Sequence, residues 1–222
     1  FIFEAPMPMP VPFVKEIEFE YGKVDQVSPL IRRVIANNPG PFTYKGTGTY
    51  IIGRGEVAVI DAGPAMPRHV DAILEATAGE TITHQLITHT HSDHSPAARL
   101  LKEATGAKTW GFGPHGSGRA EGAAVVEEGG DHDFTPDHKV RHGDVVKGAG
   151  WTAECVFTPG HTSNHMCYAL REEKTLFSGD HVMGWSSTVV SPPDGDMAAY
   201  MRSLELLLER DDALFRPTHG PA

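Results

Sequence analysis

The sequence predicts an α/β fold in which sheets pack against each other with helices outside. Short apolar segments joined by tight turns occur as β-hairpins in two halves of the chain. Segments of helical period are interspersed among them. The densest polar chemistry, His89-Thr90-His91-Ser92-Asp93-His94, follows Gln85-Leu86-Ile87-Thr88, which reads as a short buried strand. Open α/β folds place their sites in such loops at the C-terminal ends of strands.

Taken in order, residues 1–14 are proline-rich and are expected to form an extended arm. Val34-Ile35-Ala36 runs into Asn37-Asn38-Pro39-Gly40-Pro41, a strong loop signal. Thr49-Tyr50-Ile51-Ile52, the turn Gly53-Arg54-Gly55 and Glu56-Val57-Ala58-Val59-Ile60-Asp61 form a hairpin ending in a carboxylate. Residues 67–78 suit a helix opened by Pro67, with Val70, Ile73, Leu74 and Thr77 on one face and Gly79 at its end. After the His-rich loop, Ala97, Leu100, Leu101 and Ala104 repeat with helical period, Ser95 suits the N-cap and Pro96 the first helical position. Lys108 to Phe112 reads as the next strand, and 113–137 as a mobile surface loop beside the site. From His138 to Phe157 the pattern is β-like around Gly143-Asp144 and Gly148-Ala149-Gly150. Met166 to Leu170 and Thr175 to Phe177 make a second hairpin, and 197–209 a helix capped by Asp196 with Tyr200, Leu204, Leu207 and Leu208 on one face. Ala213 to Arg216 is the last short strand.

Bulk composition narrows the function. With 222 residues and 40% hydrophobic residues the chain can bury a sizeable core. A formal net charge of -10, with 29 acids against 19 bases, argues against a basic nucleic-acid surface, and no basic patch interleaved with aromatics stands out. Cys155 and Cys167 are too few for a disulfide framework and are expected as buried free thiols. No run is long enough for a membrane span. The first residues lack a basic n-region and are broken by Pro6, Pro8, Pro10 and Pro12, so a cytoplasmic setting is expected. The chain does not begin with Met and is read as a trimmed form of a longer protein.

Three imidazoles and a carboxylate within six residues are metal-ligand chemistry, because they cannot all be buried without a cation to satisfy them. Three more strand-then-loop junctions present a ligand type beside a glycine: His161 in Thr158-Pro159-Gly160-His161, Asp180 in Ser178-Gly179-Asp180, and His219 in Pro217-Thr218-His219-Gly220.

Asp61, His89-x-His91-x-Asp93-His94, His161, Asp180 and His219, in this order, resemble the metallo-β-lactamase superfamily from Thr49 to Pro221. Thr158 to His165, Phe177 to His181, Pro217 to Pro221 and the helix Tyr200-Met201-Arg202-Ser203-Leu204 resemble most closely the LACTB2-like subgroup, which includes an endoribonuclease. The resemblance implies one domain over 1–222, a four-layer αββα sandwich, with a further strand and small helical domain beyond Ala222. It implies two divalent metal ions. His89, His91 and His161 would bind the first, Asp93, His94 and His219 the second, and Asp180 would bridge both. True class B lactamases with a second zinc have a cysteine where this chain has Asp180 and lack the counterpart of His94, so antibiotic hydrolysis is not the expected role.

Zinc is the first expectation for this donor set, with manganese or iron as alternatives. A metal-bridging hydroxide would then attack an ester-like bond, either a phosphodiester of single-stranded RNA or a thioester or small ester. Asp93 or Asp180 would handle a proton. A single-iron sulfur oxygenase and a non-catalytic metal-binding module are the competing readings. His165 is assigned a supporting or substrate-contacting place beside the site, and His115 with Arg119 a weaker one on an anionic substrate group. Asp61 is expected to buttress the site by hydrogen bonds rather than bind metal. His181 is expected in a hydrogen-bonded core or rim role.

Overall fold

The computed structural model describes residues 11–119 and 129–221. Side-chain alternation decides its layers. Along the hairpin of β3 (Gly48–Arg54) and β4 (Glu56–Ile60), Tyr50, Ile52, Ala58 and Ile60 pack to one side, and Ile51, Val57 and Val59 to the other. Both sets are buried, so the sheet must be covered on both faces.

The seven-stranded sheet runs in sequence order: β1 (Val24–Gln26), β2 (Ile31–Ile35), β3, β4, β5 (Thr81–Leu86), β6 (Lys108–Gly111) and β7 (His138–Lys139). The steps from β1 to β4 are antiparallel and those from β4 to β7 parallel. Parallel neighbours need a crossover, supplied by α1 (Pro67–Ala76) between β4 and β5 and α2 (Ala97–Thr105) between β5 and β6. The five-stranded sheet holds β8 (Val145–Gly148), β9 (Trp151–Phe157), β10 (Met166–Leu170), β11 (Thr175–Gly179) and β12 (Leu214–Pro217), in the spatial order β12-β11-β10-β9-β8. Its one parallel pair, β11 with β12, is bridged by α3 (Met197–Leu208).

The inner faces of the sheets meet in a core that includes Trp151, Tyr168, Met166 and Phe177 against Ile31, Tyr50, Ile60 and Leu86. Helices α1 and α2 cover the outer face of the first sheet through Val70, Ile73, Ala98 and Leu101, and α3 covers the second through Leu207. The order helix, sheet, sheet, helix is the expected αββα sandwich. Two buried tyrosines also pin site-bearing segments across the core. The Tyr168 hydroxyl donates to the Ile87 carbonyl at 2.9 Å, and that of Tyr50 to the Pro217 carbonyl at 2.8 Å.

Local expectations fail where distant partners decide. Ser95 does not cap α2: its hydroxyl donates to Asp131 at 2.6 Å, and the helix begins at Ala97 after Pro96. Strand β2 is unforeseen because all five of its residues, including Arg32 and Arg33, are buried. Arg32 pairs with Glu80 at 2.6 Å and Arg33 with Asp25 at 3.2 Å. Leu208, assigned to the core face of α3, is 85% exposed, while Ser203 is buried and donates to the Pro159 carbonyl. Of the expected arm, 11–14 are exposed and irregular and 1–10 lie outside the described residues; of the loop 113–137, 120–128 do also. Cys155 and Cys167 are free and buried, as expected. No helix among the described residues is long and apolar enough to cross a membrane.

Candidate metal centre

Each expected donor, like the supporting Asp61, leaves a strand end at the same edge of the sandwich. Asp61 follows β4, the segment from His89 to His94 follows β5, His161 follows β9, Asp180 follows β11, and His219 follows β12. The turns require special backbone. Gly160 has φ +142, and a Cβ there would lie 2.3 Å from the Tyr200 Cα; Gly179 has φ +53, and a Cβ would meet His165 Nε2 at 2.6 Å.

The donors converge in three overlapping groups: His89, His91 and His161; His89, His94 and Asp180; and Asp93, His94 and His219. His91 Nδ1 lies 2.9 Å from His89 Nε2 and 3.1 Å from His161 Nε2. His219 Nε2 lies 3.2 Å from Asp93 Oδ2, and His94 Nε2 3.5 Å from the same oxygen. Asp180 Oδ2 stands between the groups, 3.3 Å from His219 Nε2, 3.5 Å from His94 Nε2 and 3.8 Å from His161 Nε2. Donors around a tetrahedral ion with bonds of 2.0–2.1 Å are about 3.3 Å apart, so these spacings suit ligation.

Hydrogen bonds behind the rings aim four of them. His94 Nδ1 donates to Asp61 Oδ2 at 2.9 Å, His161 Nδ1 to the Val189 carbonyl at 2.6 Å, and His219 Nδ1 to the Gly46 carbonyl at 3.1 Å. The Thr88 hydroxyl donates to Asp61 at 2.7 Å, so His89 Nδ1 is the donor in its 3.1 Å contact with that hydroxyl. With the proton on Nδ1, each ring can turn its Nε2 lone pair to a cation at the centre. Buried His94 Nε2 and Asp180 Oδ1 have no hydrogen-bond partner, which is costly unless a cation accepts them. The residues therefore fit a metal site.

Charge is distributed unevenly. Burial pushes His89 well below its usual value, helped by its neighbouring imidazoles, and pushes His161 down to about 4. Burial also opposes charge on His94 and His219, but the Asp93 and Asp180 carboxylates outweigh it, raising His94 well above its usual value and His219 to about 10. Burial likewise opposes ionisation of Asp93 and Asp180, yet the facing imidazoles hold both far below the usual carboxylate range. The His89, His91 and His161 side is a set of imidazoles, whereas the Asp93, His94 and His219 side is rich in negative charge that attracts cations.

Asp61 accepts from the Thr88 amide at 2.8 Å and from Thr218 Oγ1 at 3.2 Å as well as from His94, and it holds a left-handed backbone of φ +50. It is absent from the converging groups. Several contributors were not visible in the sequence. Thr47 donates to Asp93 at 3.0 Å, and Asp194 accepts from the Ser163 amide at 3.1 Å in the loop that carries His161. No local pattern marks either; only Thr218, inside the Pro-Thr-His run, has a local cue.

A cavity of about 430 Å³ opens on the centre, bounded by His91, Asp93, Asp180 and His219, and elsewhere by apolar side chains including Phe42, Met183 and Trp185 and by the serines Ser186, Ser187 and Ser191. No lysine or arginine is among its described lining residues. His115 and Arg119 do not line it, contrary to the expected anion contact. Arg119 Nε is 2.6 Å from Asp194, and His115 Nδ1 is 2.9 Å from the Thr90 hydroxyl. His165 is also off the cavity wall: its Nδ1 is 2.9 Å from the Thr158 hydroxyl, and its ring is 5.2 Å from that of His89. His181 is buried, but neither ring nitrogen has a hydrogen-bond partner, which corrects the hydrogen-bonded role expected for it.

The fold and this edge define an α/β sandwich with a His/Asp metal-site candidate. The chain belongs to the metallo-beta-lactamase superfamily, whose family model matches residues 45–219. It is 34% identical over 205 residues to the lactamase-like protein adaB of Aspergillus niger, covering 89% of this chain and 57% of that protein. It is 33% identical over 200 residues to an atrochrysone carboxyl ACP thioesterase of Aspergillus chevalieri, covering 89% and 58%. The chain thus spans a little over half the length of these relatives. Among solved structures it is similar to TTHA1623 in a di-iron-bound form, with a TM-score of 0.64 and 26% identity over 85% of this chain and 92% of that one.

Proposed function

We propose that the chain is a dinuclear metal-dependent hydrolase acting on an acyl thioester, folded as one domain. The observation that carries this reading is the aiming of four buried imidazoles, with His94 Nε2 and Asp180 Oδ1 unpartnered, into one space. His89 Nε2, His91 Nδ1 and His161 Nε2 would hold one ion, and Asp93, His94 Nε2 and His219 Nε2 the other. Asp180 stands within reach of both groups. Bound there, two divalent cations would supply a water of lowered pKa at neutral pH and polarise the scissile carbonyl.

The protein's own contribution is orientation and charge. Asp61 holds the His94 ring and the Thr88 backbone, so the loop after β5 is preorganised before any ligand arrives. Thr47 donates to Asp93 Oδ2, the oxygen that faces His94 and His219, and so fixes the orientation of the carboxylate. Asp180 or Asp93, the carboxylates that face the centre, would take the proton of a water held there. The donors are borderline ligands that suit zinc first, with manganese or iron as alternatives.

Two facts favour a thioester over an RNA phosphodiester. The cavity presents no cation for a phosphate among its described lining residues. A similar protein is named an ACP thioesterase, which points to a carrier-linked acyl group. The donors of the second group also disfavour the single-iron oxygenase and the non-catalytic module, since neither requires them.

The test is turnover of acyl-N-acetylcysteamine thioesters and of bis(p-nitrophenyl) phosphate by the metal-loaded protein. Thioester hydrolysis that disappears in Asp180→Ala is expected. Phosphodiester hydrolysis with no thioester turnover contradicts the reading.

A further inference from the structure

Much of the cavity wall beyond the donors comes from two loops that follow β2 and β11. The first carries Pro41 and Phe42, the second Met183, Trp185, Val189 and Pro192. Phe42 is 71% exposed and Val189 45% exposed, and both line the same cavity as Asp180 and His219. An aromatic ring left mostly in water at the mouth of a site is an unmet apolar contact.

The wall is nevertheless held in place. Asn38 clips the first loop: its side-chain amide donates to Thr47 Oγ1 and accepts from the Thr47 amide, each at 2.9 Å, while its carbonyl accepts from Thr43 Oγ1 at 2.6 Å. Tyr44, two residues after Phe42, stacks on Trp185 with ring centroids 4.7 Å apart and planes 14° apart, which joins the two loops. The Val14 amide donates to the Gly184 carbonyl at 2.8 Å, and the Tyr44 hydroxyl donates to the Lys15 carbonyl. Thr47, at the end of the first loop, also donates to Asp93, so wall and donors share a support.

We propose that this aromatic-rimmed wall selects a bulky, uncharged, apolar acyl group, with Phe42 and Val189 closing on it. The inference rests on the thioester reading above and adds the side of the substrate that the cavity recognises. A carbonyl at the donors must send its acyl group or its thiol carrier along the wall. Ser186, Ser187 and Ser191 on the second loop can meet the carrier's amides, whereas Pro41, Phe42, Met183 and Val189 offer apolar surface that suits only the acyl group. A charged acyl chain has no lysine or arginine to meet among the described lining residues.

The experiment compares acetyl, octanoyl, benzoyl and succinyl N-acetylcysteamine thioesters on the metal-loaded protein, in wild type, Phe42→Ala and Val189→Ala. Exposed Leu208→Ser on α3 serves as the control. We expect octanoyl and benzoyl to exceed acetyl and succinyl at least tenfold in kcat/KM. Phe42→Ala should cut that preference roughly tenfold, mainly through KM, as expected for removing one aromatic contact. Calorimetric titration of S-octyl-N-acetylcysteamine, a non-hydrolysable thioether, should weaken in the same order. Equal turnover of all four thioesters, a preference for succinyl, or an unchanged preference in both variants overturns the wall's role and leaves the thioesterase reading standing. Failure to hydrolyse any thioester by protein carrying its metals defeats the thioesterase reading and this inference together.

Discussion

The two sides of the cavity are built on opposite plans. On the donor side, side chains leave strand ends, all but His91 and Asp93 are buried, and His94, His161 and His219 are oriented by second hydrogen bonds to Asp61, Val189 and Gly46. On the wall side, side chains sit on loops, are partly exposed, and make apolar contacts that any ligand of similar shape can share. The donor side can tolerate little change because each lost partner leaves a buried polar atom unpaired. Exposed wall side chains such as Phe42 can change with little cost to the fold, although the wall's backbone, at Val189, also orients His161. The difference suggests that the chemistry is written on the sheets and the choice of substrate on the loops.

This contrast orders the expected effects of substitution. Asp180→Ala removes the carboxylate within reach of both groups, so metal content and turnover should fall together, turnover on the order of 10²-fold or more; elemental analysis beside kinetics checks this, and retained turnover with depleted metal breaks the donor account. Asp61→Asn should lower metal affinity roughly 10- to 100-fold, because His94 Nδ1 loses its carboxylate partner while the side chain keeps its shape. A competitive chelator titration reads the loss, and unchanged affinity would mean that Asp61 serves the fold alone. Thr47→Val should have a smaller effect of the same kind, a few-fold at most, since Asp93 keeps its contacts with His94 and His219.

The smallest effect on turnover is expected at His69, which lies behind the site. Its Nε2 donates to Thr49 Oγ1 at 2.8 Å, and that hydroxyl donates to the Asp61 carbonyl at 2.6 Å. Burial lowers the His69 imidazole from 6.5 to about 4. The unfolded chain therefore takes up the proton first as the pH falls. The contribution of this group is full above pH 6.5, declines between 6.5 and about 4, and is flat below that. The loss is on the order of 3 kcal/mol. Denaturant midpoints at pH 7.5 and 4.5 should show a smaller drop for His69→Gln than for wild type; equal drops would contradict the assignment.

The converging side chains were legible because four share one run after β5 and His161, Asp180 and His219 each follow a strand end beside a glycine, so local sequence already names residue type and position. The hairpin ending at Asp61, the helix opened by Pro67 and the Asp196 cap, which accepts from the Ala199 amide, were legible for the same reason. What was not legible depends on distant partners. Arg32 and Arg33 break the apolar pattern of β2, yet they are buried because Glu80 and Asp25 wait for them. Thr47 reaches Asp93 across 46 positions, and Asp194 reaches Ser163 across 31. Arg119 looked like an anion contact because a loop arginine near histidines has that chemistry, but Asp194 engages it.

The central claim is that the donor set holds two ions rather than one. Elemental analysis of the chain purified without added metal, repeated on Asp93→Ala and His91→Ala, tests it most directly. The account predicts about two divalent ions per chain, with each variant losing about one or more. One ion per chain, retained in Asp93→Ala and lost only in His91→Ala, would contradict it and leave a mononuclear centre on His89, His91 and His161.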